Sequence, residues 1–155
     1  MSQTTSIIRY DRPLTNTEFL GSFAPSHSFA IYTNSNNEKF IYRGGPNSQG
    51  KLEITMTPYV SGSKDYVSPD ILSQYQKTEL IQGDEATYEW SKMTKYGESI
   101  NKANIEYTAT NVNCNSSLTG AIESTGNIAM IKENATANSK PNVVGADTTI
   151  INNSD

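Results

Sequence analysis

One cysteine and one histidine occur in the 155 residues, and each scarcity removes a class of explanation. A lone cysteine cannot close an internal disulfide, so the fold owes nothing to an oxidising compartment and the thiol stays free to react. One His with one Cys cannot supply the three or four converging ligands of a zinc site, and no Asp-x-Asp-x-Asp-Gly pattern offers a calcium loop. No metal and no cofactor is therefore expected. Positive charge is also short: 12 Lys and Arg stand against 16 Asp and Glu, a net charge of -4. That balance gives no field to hold a phosphate backbone or an anionic membrane surface, so nucleic acid is not an expected partner. No run of eighteen apolar residues suggests a membrane span, and Met1 to Thr5 lacks the basic and apolar regions of a Sec-type signal. The expectation is a soluble chain, cytoplasmic where it is made, whose export would need another route.

What the sequence does hold is enough for one ordinary domain with a real core. Nine tyrosines, four phenylalanines and a tryptophan supply bulk that strands can use, although the hydrophobic fraction is only 35%. Ser6 to Tyr10 reads as a strand broken by Asp11 to Pro13, and a helical turn is expected around Asn16 to Leu20. His27 to Thr33 and Lys39 to Arg43 are β-rich and flank the turn cluster Asn34 to Asn37, which predicts a hairpin. Lys51 to Thr57 alternates as a third strand, and Thr78 to Gln82 suggests another, after a polar excursion from Tyr59 to Gln76.

The clearest helix starts after Asp84, a candidate N-cap. Ala86, Trp90, Met93, Gly97 and Ile100 form its apolar stripe, and the spacing carries it to about Asn101. Asn104 to Ala109 reads as a strand and Cys114 to Ser124 as a helix ended by Gly126. The boundaries are one main domain over 1–126 and an Asn-, Ala- and Thr-rich arm or tail over 127–155.

Two motifs fail on context. Gly45 to Lys51 begins like a phosphate loop, but Leu52 stands where Ser or Thr should hold magnesium, and an alternating strand follows where a helix is required. Ser61 and Lys64 have the Ser-x-x-Lys spacing of penicillin-recognising enzymes, yet they sit in a glycine-containing loop rather than at a helix start.

The remaining chemistry lies in the two rare residues. A thiolate is stabilised at a helix N-terminus, where Cys114 is placed behind the capping types Asn111 and Asn113. The free amides of Cys114 and Asn115 would face an oxyanion formed beside the sulfur. The only imidazole, His27, is the candidate base. If Asn34 to Asn37 sets the register, Phe29 faces Tyr42 and Ile31 faces Phe40. His27 and Tyr42 then share a sheet face, and the Tyr42 hydroxyl can orient the imidazole. Taken singly, a buried free cysteine and a strand-end histidine are more often structural than catalytic.

Ser26 to Tyr32, a polar turn and Lys39 to Tyr42 resemble the His-containing hairpin of NlpC-type cell-wall peptidases. Asn113 to Ser116 resembles the Asn-Cys motif of the permuted relatives, the PPPDE peptidases and the lecithin:retinol acyltransferase-like proteins. Gly44 to Pro46 after the His strand is similar to permuted papain-like domains of bacterial effector toxins. The resemblance covers about two thirds of the chain and is weakest between Val60 and Gln82.

It implies an α+β, permuted papain-like fold, with an antiparallel sheet packed against the helix bearing the nucleophile and a second core helix. It implies Cys114 as nucleophile and His27 as base, with Tyr42 where the NlpC type has His, Asn or Gln. The site would then work as a dyad or recruit a third group from elsewhere. Asn113, Asn115 and Asn111 would serve positioning or the oxyanion. The implied activity is a cysteine amidase or peptidase acting on a peptide or amide, cell-wall peptide first, as a secreted bacterial effector with a cognate immunity or inhibitor protein as partner. A glutamine deamidase or acyltransferase would use the same residues, and a non-catalytic binding or immunity module could keep the fold.

Overall fold

Alternating strands and turn-rich connections dominate the first half of the chain, and helices the second. The computed structural model describes residues 4–13, 26–140, 143, 145, 149 and 150. The elements run β1 (Ser6–Pro13), β2 (Ser26–Thr33), β3 (Lys39–Pro46), β4 (Leu52–Thr55), α1 (Pro69–Leu72), β5 (Gln76–Gln82), α2 (Glu85–Ala103), α3 (Cys114–Ser124) and α4 (Ile128–Asn138). The strands form one sheet in the order β4-β3-β2-β1-β5, with every neighbouring pair antiparallel. The class is α+β, and the sheet packs against α3, which carries Cys114, and the long α2. Among the described residues no helix is long and apolar enough to cross a membrane. The turn expected over Asn16 to Leu20 lies outside the described residues.

The hairpin of β2 and β3 forms where the sequence places it, but its register differs by one residue. Ala30 pairs with Tyr42 and Tyr32 with Phe40, whereas Phe29 pairs with Arg43. The turn is longer than Asn34 to Asn37 because Asn34 Oδ1 accepts from the amides of both Asn36 and Glu38, drawing Glu38 into the loop. A one-residue shift moves Phe40 and Tyr42 to the face opposite His27, Phe29 and Ile31. Tyr42 now packs with Ala30 and Tyr32 beneath the helices, while Phe29, Ile31 and Ile41 form a second cluster with Tyr10 and Tyr59 on the other face. Residues 59–75 cover that second face, and Leu72 of α1 and Tyr75 pack on it. Both faces of β2 are thereby covered, and all eight of its residues are buried.

Helix α2 buries Ala86, Met93, Gly97 and Ile100 of the expected stripe, and Trp90 stacks on Tyr32 at 5.2 Å. Asp84 precedes it in helical conformation and makes no capping bond with its side chain, contrary to expectation. Asn104 to Ala109 is not a strand. Left-handed Asn104 (φ 54°) turns the chain out of α2, and only the Lys51–Glu106 bridge forms, with Ile105 O and the Tyr107 amide bonded to the β4 end. Beyond Gly126, where an arm or tail was expected, α4 forms, capped by Asn127 and burying Met130, Asn134 and Ala137. Asp11 to Pro13 continue β1 instead of breaking it, paired with Ser28 to Ser26.

That continuation is held by a buried polar cluster. Arg9 has no exposed surface and forms a two-bond pair with Asp11 at 3.0 and 3.1 Å. Nη2, which serves Asp11, also donates to Ser28 Oγ at 3.0 Å, and Nη1 donates to Asn134 and Asn138 of α4, each at 2.6 Å. Ser28 Oγ in turn donates to Asp11. Removing one partner of such a pair leaves a buried charge unmatched. Arg9→Ala is expected to lower unfolding free energy by about 3–5 kcal/mol, read from the urea midpoint; a loss under about 1 kcal/mol would contradict this account of the cluster.

Candidate active site

Cys114 is the first residue of α3, and Asn113 is its N-cap. The Asn113 side chain accepts from the amides of Asn115 (3.0 Å) and Ser116 (3.1 Å), and Ser116 Oγ accepts from the Asn113 amide at 2.9 Å. This reciprocal capping box fixes the first turn. It also uses the Asn115 amide, one of the two expected to face an oxyanion. Among the described residues the Cys114 amide has no hydrogen-bond acceptor. Asn115 is buried, and its Oδ1 lies 3.4 Å from Cys114 Sγ, a bond the thiol can donate and the thiolate cannot. Asn111 is exposed. Its amide donates to Thr108 Oγ1 at 3.3 Å, so its backbone belongs to the turn leading into the helix.

The sulfur reaches the sheet where two strands part. Pairing of β2 with β3 ends at Phe29 and Arg43, although β2 begins at Ser26 and β3 runs on to Pro46 beside β4. The Ser28 backbone lies beside the sulfur at this point and helps to lower the thiol pKa. Gly44 makes the approach possible: a β-carbon there would lie against Ser117 Oγ and 3.4 Å from the Cys114 Cα. His27 is seated beside Phe29 with ring centroids 5.8 Å apart, and its ring is near enough to the Cys114 sulfur for each to draw the other toward its charged form.

The second ring nitrogen of His27 is held by Asp65, not by Tyr42. His27 Nε2 and Asp65 Oδ2 are 2.7 Å apart, which leaves Nδ1 for the sulfur. Tyr42 has no exposed surface, lies on the helix face and donates to the Ser117 carbonyl at 3.3 Å. The one-residue difference in register is the physical reason. Asp65 comes from the segment covering the second face and stands in left-handed conformation at φ 63°, which Asp tolerates better than most side chains. Its carboxylate also accepts from Arg43 Nε at 2.7 Å and from Arg12 at 2.9 Å.

These contacts set the charges. Burial alone would lower the His27 pKa, but the hydrogen bonds to Asp65 and Cys114 and their negative charges outweigh it and push it up to about 9. Burial raises the Cys114 thiol, yet the His27 bond and charge, the Ser28 amide and Arg43 together bring it below its ordinary value. Asp65 is held well below the usual carboxylate range: burial opposes this, and His27, Arg43 and Arg12 prevail. Both shifts run toward charge, His27 toward imidazolium and Cys114 toward thiolate, with the Asp65 carboxylate on the other side of the ring. Tyr107, half-buried nearby, has its phenol raised by burial and then by the Cys114 charge.

Sequence reasoning finds Cys114, His27 and Asn113 and misses Asp65, Arg43, Arg12 and the Ser28 amide. Asp65 leaves no periodic signal, since it sits in an irregular polar segment whose path depends on packing. Arg43 can be placed with His27 only once the register is known. No protein-family model, curated protein or solved structure matches the chain, so the site rests on its own geometry.

His27 is the only imidazole in the chain, which makes its titration unambiguous by nuclear magnetic resonance. Its ring signals are expected to titrate near 9. Asp65→Asn should bring that value down by about 1–3 pH units, the usual effect of removing an adjacent opposite charge. A native midpoint near 6.5 would contradict the relay.

Proposed function

We propose that the chain is a cysteine amidase or peptidase with Cys114 as nucleophile, His27 as acid and base, and Asp65 as the group that orients His27. The reading is carried by the convergence of these three side chains, and it extends to a permuted papain-like arrangement in which the His strand precedes the Cys helix. In the first step the Cys114 thiolate attacks the amide carbonyl carbon, and charge develops on the carbonyl oxygen beside the Cys114 amide. Collapse breaks the carbon–nitrogen bond as the His27 imidazolium gives its proton to the leaving amine, leaving a thioester on Cys114. Neutral His27 then takes a proton from water as its oxygen attacks the thioester, and the carbon–sulfur bond breaks to release the carboxylic acid and restore the Cys114 thiolate beside the His27 imidazolium.

Resemblance to the NlpC type favours peptide of the bacterial cell wall as substrate and action as a secreted effector countered by an immunity protein. Glutamine deamidation and acyl transfer would pass through the same thioester and differ only in which amine leaves or which nucleophile arrives. A second reading, a binding module on the same fold without turnover, has one observation in its favour: Cys114 is only 6% exposed. The depressed thiol pKa supports the enzyme instead, because an inert buried cysteine is raised by its surroundings.

Incubation with cell-wall peptides and mass spectrometry of the protein and products tests the proposal. Thioester formation on Cys114 and cleaved amide are expected, both absent in Cys114→Ala, with His27→Ala lowering kcat/KM by about 10²–10⁴. The pH profile should be bell-shaped, falling on the acid side as the thiolate protonates and on the alkaline side as His27 loses its proton near 9. Cleavage that survives in Cys114→Ala would exclude this mechanism.

A further inference from the structure

Arg43 has a capacity that holding Asp65 does not use. Its Nε donates to Asp65 Oδ2, and among the described residues that is the one hydrogen bond its guanidinium makes. Orienting the carboxylate requires only this nitrogen. The two η nitrogens extend over Gly45, where a β-carbon would stand 2.9 Å from Nη2, 3.0 Å from Nη1 and 3.2 Å from Cζ. The missing side chain at Gly45 is thus what lets the guanidinium lie flat along the strand.

Charge points the same way. Asp65 is one carboxylate already shared by His27, Arg12 and Arg43, so it does not neutralise the groups that face it. The Arg43 side chain is 16% exposed, partly withdrawn from water but open at one edge. Its charge acts on both Cys114, which it helps to lower, and Tyr107, whose rise it opposes, so the guanidinium lies within electrostatic range of the sulfur. A planar fork with two unpaired donors at the edge of a low-dielectric site suits bidentate capture of a carboxylate.

We propose that Arg43 binds a carboxylate of the substrate beside the reacting amide, so that the preferred substrate class is a peptide or amide carrying a free carboxylate close to the bond that Cys114 attacks. The inference rests on the reading of Cys114 as nucleophile. It adds a specificity determinant to that reading and gives the Gly44-Gly45 doublet a division of labour. Gly44 admits the Cys114 helix on one face of β3, and Gly45 admits the Arg43 guanidinium on the other.

Two alkylating probes of nearly the same size test this without a known substrate: iodoacetate carries a carboxylate, and iodoacetamide is neutral. The quantity measured is the ratio of their rates with Cys114 in the folded chain, compared with a small free thiol. The native ratio is expected to exceed that of the free thiol by about tenfold or more, as a charge-assisted contact would give. Arg43→Gln should remove most of this excess from the ratio; any change in thiolate population that follows from the lost Asp65 bond and charge affects both reagents alike and cancels in the ratio. Gly45→Ala, which keeps the charge but crowds the η nitrogens, should lower the ratio as well, so the test stands even where Arg43→Gln fails to fold. A ratio unchanged in the folded variants, or a fall shared equally by both reagents, would overturn the carboxylate site and leave the nucleophile reading intact. A native thiol that reacts with neither reagent until the protein unfolds would overturn both.

Discussion

Asp65 accepts hydrogen bonds from Arg12, His27 and Arg43, which stand on three neighbouring strands, β1, β2 and β3. One carboxylate thereby ties the cover of the second sheet face to the strands that carry the site. A buried imidazolium is costly alone, and a buried thiolate equally so; the placing of Asp65, His27 and Cys114 in a row lowers the cost of charging each. The left-handed backbone at Asp65 costs about 1–3 kcal/mol, and three charge-assisted bonds of about 1.5–3 kcal/mol each are enough to offset it.

The thiol and the imidazole approach from opposite sides of the sheet, and the parting of β2 from β3 beyond Phe29 and Arg43 lets them meet. The Ser28 backbone lies beside the sulfur there, while the Ser28 hydroxyl is locked between Arg9 and Asp11 in the buried cluster. The cluster also reaches α4 through Asn134 and Asn138. The backbone around the sulfur is consequently fixed by contacts from β1, β2 and α4, while the capping box fixes α3 itself. Such support is what holds reactive groups in a productive geometry.

How much of this was legible in the sequence depended on the range of the interactions involved. The β2–β3 hairpin, the α2 stripe and the N-terminus of α3 are local, encoded in period and capping chemistry, and they appear where those signals place them. The register of the hairpin turned on Asn34 recruiting Glu38, and that one residue moved Tyr42 away from His27 and brought Arg43 to its face. Asp65 was beyond reach because its placement follows from how an irregular segment packs over Phe29, Ile31 and Ile41. The helix α4, with a weak apolar stripe and buried Asn134, is held by the Arg9 cluster and by packing, which no periodicity reveals.

The most direct test of the central claim is the pH dependence of Cys114 alkylation by iodoacetamide in the native chain and in His27→Ala, since Cys114 is the only thiol present. The account predicts reaction well below the ordinary thiol pKa of about 8.5 in the native protein and a midpoint returned to or above that value in the variant. A native thiol that stays silent until the protein unfolds, or a midpoint indifferent to the loss of His27, would contradict it.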